Sequence, residues 1–170
     1  FLYSFFQQHP EYVSDGFDFP VGKPDAKKYY NAQVFGKNNH LGDDWNGTGG
    51  GNTDLGDTVY AIANGYITQA EDLYGGWGNV VRIVHFLPKE HELAPDVESL
   101  YAHLDEVFAS KGTWVKKGAP IGTIGTAHGQ YYAHLHLEIR SEAGLPLGGG
   151  YSTDTTGYLN PTLFIRANHY

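Results

Sequence analysis

The clearest hydrophobic pattern in the chain runs from Tyr132 to Arg140, where Leu135, Leu137 and Ile139 alternate with His134, His136, Glu138 and Arg140. A period of two over this length predicts a strand with one apolar face and one polar face. Leu135, Leu137 and Ile139 then enter a core, and the two histidines share the other face with Glu138 and Arg140. Upstream, short runs rich in β-branched and aromatic residues recur at close spacing, at 59–62, 66–70, 79–85, 98–104, 114–117 and 120–125. Asn64-Gly65 reads as a tight turn between the first two runs. Gly75, Gly76 and Gly78 form a turn before the third. Short strands separated by glycine turns predict an all-β sandwich or barrel. The helix candidates are few and short, such as Leu104 to Ser110.

The two ends read differently. Residues 1–32 are aromatic and broken by Pro10, Pro20 and Pro24, which predicts an irregular arm packed on the body through Phe1, Phe5 and Phe6. Residues 33–147 carry the strand runs, and 148–170 form a tail that lies back over the core through the apolar stretch 161–165. The segment 34–45 is interrupted by polar and glycine positions and is placed at a strand end and loop. Residues 46–56 form a glycine-rich loop that lacks the Lys-Ser/Thr ending of a phosphate-binding loop. No repeat or linker divides the 170 residues, so the chain reads as one domain, long enough for a real core.

Composition narrows the chemistry. A net charge of −8 argues against nucleic acid and against anionic membranes as partners. The absence of cysteine excludes disulfides and thiol chemistry, so any metal must be held by His, Asp or Glu. No apolar run reaches membrane-spanning length. A start at Phe1 reads as a processed form or an excised domain, with any signal peptide outside this sequence.

A His-x-His pair alone is an ordinary solvated pair. A second cluster changes that reading. His40-Leu41-Gly42-Asp43-Asp44 places a histidine and a carboxylate four residues apart. His40, Asp44 and one of His134 and His136 would supply three of zinc's four positions and leave the fourth to water. The other candidates have blander readings. His9 is incidental, His85 is structural, His91 is solvated, and His128 sits in a glycine turn. Trp45, Trp77 and Trp114 are core or rim residues. Glu90, Glu92, Asp96 and Glu98 form a solvated acidic face.

Taken together, the motifs resemble the lysostaphin-type zinc metallopeptidases of bacterial cell walls. The family's three elements, in order, stand here as His40-Leu41-Gly42-Asp43-Asp44, Tyr101-Ala102-His103-Leu104 and His134-Leu135-His136. The stretch 117–125 resembles the family's turn-strand segment, and the resemblance spans residues 34–140. It implies antiparallel sheets forming a narrow groove, with one zinc ion per chain held by His40, Asp44 and His136. It also implies His103 and His134 as the catalytic pair, one of them a base. The implied activity is hydrolysis of peptidoglycan peptide cross-links by attack of a zinc-bound water, in a secreted, extracellular or periplasmic protein acting as a monomer. Glu138 either orients a ligand imidazole or pairs with Arg140 at the surface.

Three features depart from the family pattern. The loop 46–56 is an insertion expected to border the groove. Asp43 sits beside Asp44, and family spacing favours Asp44 as the ligand. Gln130-Tyr131-Tyr132-Ala133 replaces smaller residues, and its tyrosines line the groove or pack. Two other functions compete with this reading. A non-catalytic wall-binding or hydrolase-regulating relative would have no need of all five positions. A lipoyl- or biotinyl-type carrier, with Lys116-Lys117 as its attachment turn, would have no use for them.

Overall fold

A computed structural model of the chain describes residues 2–88 and 96–169. Among them the strands are β1 (Tyr29–Gln33), β2 (Asp43–Gly47), β3 (Thr58–Tyr60), β4 (Gly65–Asp72), β5 (Asn79–Phe86), β6 (Asp96–Leu104), β7 (Trp114–Val115), β8 (Pro120–Thr123), β9 (Leu135–Arg140) and β10 (Tyr158–Leu159). Two short helices, α1 (Leu2–Gln8) and α2 (Pro161–Ala167), lie near the ends. The main antiparallel sheet runs β1-β2-β9-β6-β5-β4-β7, with β10 beside β9, and β3 and β8 pair separately. The all-β, antiparallel expectation holds.

The strand with period-two alternation lies inside the sheet, between β2 and β6. Leu135, Leu137 and Ile139 are fully buried in a core with Val59, Ile83, Tyr101 and Ile124. Its polar face is covered as well, against expectation: Glu138 and Arg140 have no exposed surface and His136 almost none. The covering element is the segment after β9. Arg140 donates to the backbone carbonyls of Leu145, Pro146 and Leu147 and so holds that segment over its own strand. A second buried pair forms nearby, with Arg82 2.7 Å from Glu98. Glu98 is therefore buried in an ion pair and not part of a solvated acidic face. Arg82 also donates to the Leu145 carbonyl. Glu90, His91 and Glu92 lie outside the described residues, as does Phe1.

Other differences have local causes. Residues 2–32 are more regular than expected. The run 2–8 precedes the first proline and forms α1, and Phe6 packs on Phe86 and Trp114 with ring centroids 4.4 and 4.9 Å away. Tyr29–Gln33 adds β1 to the sheet edge beside β2. Asn64-Gly65 makes no hairpin, because β3 pairs with β8 and β4 with β5 and β7. The Asn64 side chain instead ties three segments, donating to the Val13 carbonyl and accepting from the Lys117 amide. Residues 104–110 form no helix, since Val107 bridges to Gly122 of β8. Near the end of the chain, α2 packs on the core. Asn160 caps α2 by accepting from the Leu163 amide, and Phe164 and Ile165 are buried.

His85 is structural, as its sequence context suggested. It is fully buried, with Nδ1 2.9 Å from the Asn64 carbonyl and Nε2 2.7 Å from Ser99 Oγ. Burial pushes its imidazole down to about 4, despite an opposing contribution from the Asn64 carbonyl. The folded state therefore keeps His85 neutral, while the unfolded chain takes up a proton near pH 6.5. The stability tied to neutral His85 is complete above about pH 6.5 and is lost as pH falls toward 4, by up to about 3 kcal/mol. Urea unfolding of His85→Gln should show a shallower loss of stability than wild type over that window. Equal slopes would contradict this assignment.

Candidate metal centre

His40, Asp44 and His136 converge, with one ligand atom from each lying within 4.8 Å of the others. His136 Nδ1 is 3.0 Å from Asp44 Oδ1 and 3.1 Å from His40 Nε2, and His40 Nε2 is 3.3 Å from Asp44 Oδ1. The sheet register produces this arrangement, because Asp44 on β2 sits directly opposite His136 on β9. His40 arrives just before β2, where it bridges to Tyr151. Gly42 permits the close crossing, since a Cβ there would lie 2.3 Å from the Leu137 carbonyl oxygen.

The outer nitrogens decide the tautomers. His40 Nδ1 lies 3.0 Å from the Gln33 carbonyl, which only accepts, so Nδ1 carries the proton and Nε2 the lone pair. His136 Nε2 lies 2.7 Å from Glu138 Oε2. Burial alone would raise the Glu138 carboxyl, but the hydrogen bond and charge of His136 and the Arg140 guanidinium hold it below the usual carboxylate range. It is therefore ionised and accepts from Nε2, leaving Nδ1 of the neutral imidazole with the lone pair. With both imidazoles neutral, two lone pairs and a carboxylate oxygen face one another at about hydrogen-bond distance. That repulsion is relieved by a cation, and a donor set of two nitrogens and one oxygen without sulfur fits zinc.

The electrostatics agree. Burial alone would raise Asp44, but its close contacts with the His136 and His40 imidazoles pull it well below the usual carboxylate range. Burial alone would lower His136, yet Asp44 and Glu138 push it up to about 9, so without a metal ion the positive charge is a second proton on this imidazole. The cluster favours positive charge. Asp43 has a different role: it is fully buried, with one oxygen accepting from the Phe35 amide and the other from the Thr162 hydroxyl.

His103 and His134 lie beside the trio, with ring centroids 4.7 Å apart. His134 Nε2 is 3.6 Å from Asp44 Oδ1, while its Nδ1 donates to the Tyr132 carbonyl at 2.9 Å. His103 Nδ1 donates to the Trp77 carbonyl at 3.2 Å. Both therefore keep an unprotonated Nε2. His103 stands at φ +66°, an unfavourable backbone for a residue with a Cβ, held by its amide bond to the same Trp77 carbonyl. Burial, then the charges of His136 and His134, push its imidazole down to about 3.

These groups open into a cavity of about 500 Å³ whose other walls are Gln33, Gly76, Trp77, Tyr131, Gly149, Gly150 and Tyr151. Tyr131 lines this cavity. His128 does not and pairs with Asp72 at 2.8 Å. Trp77, placed at the core or rim by sequence, and Tyr151, placed in the tail, are groove residues that local pattern did not reveal. The loop 46–56 does not line the cavity. Asn52 instead accepts from the Ala133 amide, bracing the residue before His134.

A model of peptidase family M23 matches residues 43–148. The chain belongs to peptidase family M23. Lipoprotein NlpD of Yersinia enterocolitica is 34% identical over 85 residues, half of this chain and 78% of that protein. The murein hydrolase activator NlpD of Escherichia coli is 33% identical over 85 residues, and the match spans only 20% of its length. Among solved structures, the catalytic domain of the antimicrobial peptidase lysostaphin from Staphylococcus simulans aligns over 94% of this chain and 96% of its own, with a TM-score of 0.54 at 22% identity. The M23 chain thus shares the lysostaphin-type fold.

The two adjacent aspartates should separate in experiment. Asp44→Asn should weaken zinc binding by more than about 100-fold, beyond the usual range for outer-shell partners. Asp43→Asn should keep zinc binding and lose about 1–3 kcal/mol of fold stability. Zinc titration against a chromophoric chelator, with urea unfolding alongside, checks both. The opposite pattern would overturn the ligand assignment.

Proposed function

We propose that this M23 domain is a zinc-dependent endopeptidase that hydrolyses peptide cross-links of bacterial peptidoglycan. One observation carries the reading: the His103 and His134 imidazoles stand beside the converging His40, Asp44 and His136, at a cavity of about 500 Å³. His40, Asp44 and His136 would hold a single zinc ion. When bound, zinc supplies Lewis acidity that polarises a carbonyl and makes a neighbouring water more acidic.

The chain's own groups do the rest. The Trp77 and Tyr132 carbonyls fix the ring orientations of His103 and His134, leaving each Nε2 ready to accept a proton. One imidazole receives the proton of the attacking water. That proton then passes, directly or through the second imidazole, to the departing amine. Trp77, Tyr131 and Tyr151 wall the groove in which the peptide lies. The domain acts outside the cytoplasm, secreted or periplasmic, where cross-linked wall is found. It works as a monomer and one folding unit, with arm 1–32 and tail 148–170 packed on the peptidase core 33–147.

A second reading is favoured by the sequence relatives, among them a murein hydrolase activator. In that reading the domain binds wall or partner hydrolases and cuts nothing. The five intact positions support the enzyme instead. Zinc-loaded protein should release new amino termini from purified cross-linked peptidoglycan, detectable by mass spectrometry. Chelation should stop the release and added zinc restore it. His103→Ala should cut turnover by about 10²–10⁴-fold while zinc binding persists. No new termini from zinc-loaded protein on any wall type would contradict the proposal. Stimulation of a separate hydrolase by wild type and His103→Ala alike would establish the activator reading.

A further inference from the structure

We propose that the buried Glu138–Arg140 pair is a positioning device that sets the zinc affinity of His136 and builds the groove wall onto the metal centre as one unit. The inference rests on the zinc reading above.

The contacts form an unbroken chain from ligand to wall. Glu138 has no exposed surface, and its two oxygens are divided: Oε2 accepts from His136 Nε2, and Oε1 accepts from Arg140 Nε and Nη2 at 3.2 and 2.8 Å. Arg140, also without exposed surface, sends its remaining donors to three consecutive carbonyls, those of Leu145, Pro146 and Leu147. The residues that follow wall the cavity. Trp77 Nε1 donates to the Gly148 carbonyl and the Leu41 amide to the Gly150 carbonyl, while Gly149, Gly150 and Tyr151 face the groove.

A surface ion pair would tolerate some play. A pair of fully buried ions does not, because every lone pair and proton must find a fixed partner. Glu138 can accept from His136 in one ring orientation only, so Nδ1 is held toward Asp44 and His40. The guanidinium fork in turn holds the Glu138 carboxylate in that orientation. Arg140 also fixes 145–147, so a change at His136 is transmitted to the wall, and the coupling acts equally in both directions. The neighbouring Arg82–Glu98 pair supplies an internal comparison. Arg82 bonds the Leu145 carbonyl as well but pairs with Glu98 and not Glu138.

The test measures zinc affinity directly, by competition with a chromophoric chelator, together with hydrogen exchange of the amides of 148–151. Glu138→Gln keeps shape and acceptor but removes the charge that holds both His136 and Arg140. It should weaken zinc by about 10–100-fold, the range for outer-shell partners of metal ligands. Zinc should slow exchange across 148–151 in wild type and do so far less in the variant. Arg140→Lys, which loses the fork, should follow Glu138→Gln in both readouts. Arg82→Lys should lower stability yet leave zinc affinity within about twofold, separating positioning from general loosening. In long-range nitrogen correlation spectra, zinc-loaded wild type should show His136 protonated at Nε2. Unchanged zinc affinity in folded Glu138→Gln, or equal losses in Arg82→Lys, would overturn this inference alone. Failure of wild type to take up zinc would overturn the reading beneath it as well.

Discussion

Three electron-rich atoms forced into mutual contact govern this structure: His40 Nε2, Asp44 Oδ1 and His136 Nδ1, 3.0–3.3 Å apart. With neutral imidazoles each presents a lone pair, because His40 has committed its proton to a backbone carbonyl and His136 its own to a buried carboxylate. Such a grouping is unfavourable unless positive charge lies among its members. The fold maintains it through the β2–β9 register, where Asp44 and His136 are cross-strand partners. A slip of β9 by one residue would turn His136 to the opposite face and bring Leu135 or Leu137 into the site. The apolar alternation of β9 prevents that slip, because Leu135, Leu137 and Ile139 would leave the core.

Around the trio, several charged side chains are buried. Glu98, Glu138 and Arg140 are nearly or wholly removed from water, with Arg82 close behind. Desolvating such groups is costly, and they are tolerated only when fully hydrogen-bonded. Here they are, largely by the backbone of 144–147. The segment that roofs β9 is therefore held by ionic groups beneath it. Apolar packing contributes less there, since residues 142–149 are mostly exposed or half-buried. This explains how a glycine-rich strap can form a stable wall for a groove.

Much of the arrangement was legible in the sequence, and the limits have physical causes. The alternation at 135–140 revealed the strand and placed both histidines on one face. The spacing of His40 and Asp44, together with the family resemblance, indicated the trio that the sheet register assembles. The same alternation misled about exposure. Period two reports which residues share a face, and says nothing of what later covers it. Glu98 and Arg140 looked solvated because their partners, Arg82 and the carbonyls of 145–147, are distant in sequence or carry no side-chain signal. Tyr151 and Trp77 became groove residues through long-range contacts, the bridge to His40 and the bond to Gly148. The helix expected at 104–110 gave way to pairing with β8, a tertiary preference that local pattern does not encode.

X-ray absorption at the zinc edge of the zinc-loaded protein tests the central claim most directly. The account predicts one tightly held zinc with two imidazole nitrogens at about 2.0–2.1 Å and the remaining ligands oxygen. A spectrum with no imidazole scattering, with a single imidazole, or with purely oxygen coordination would contradict it.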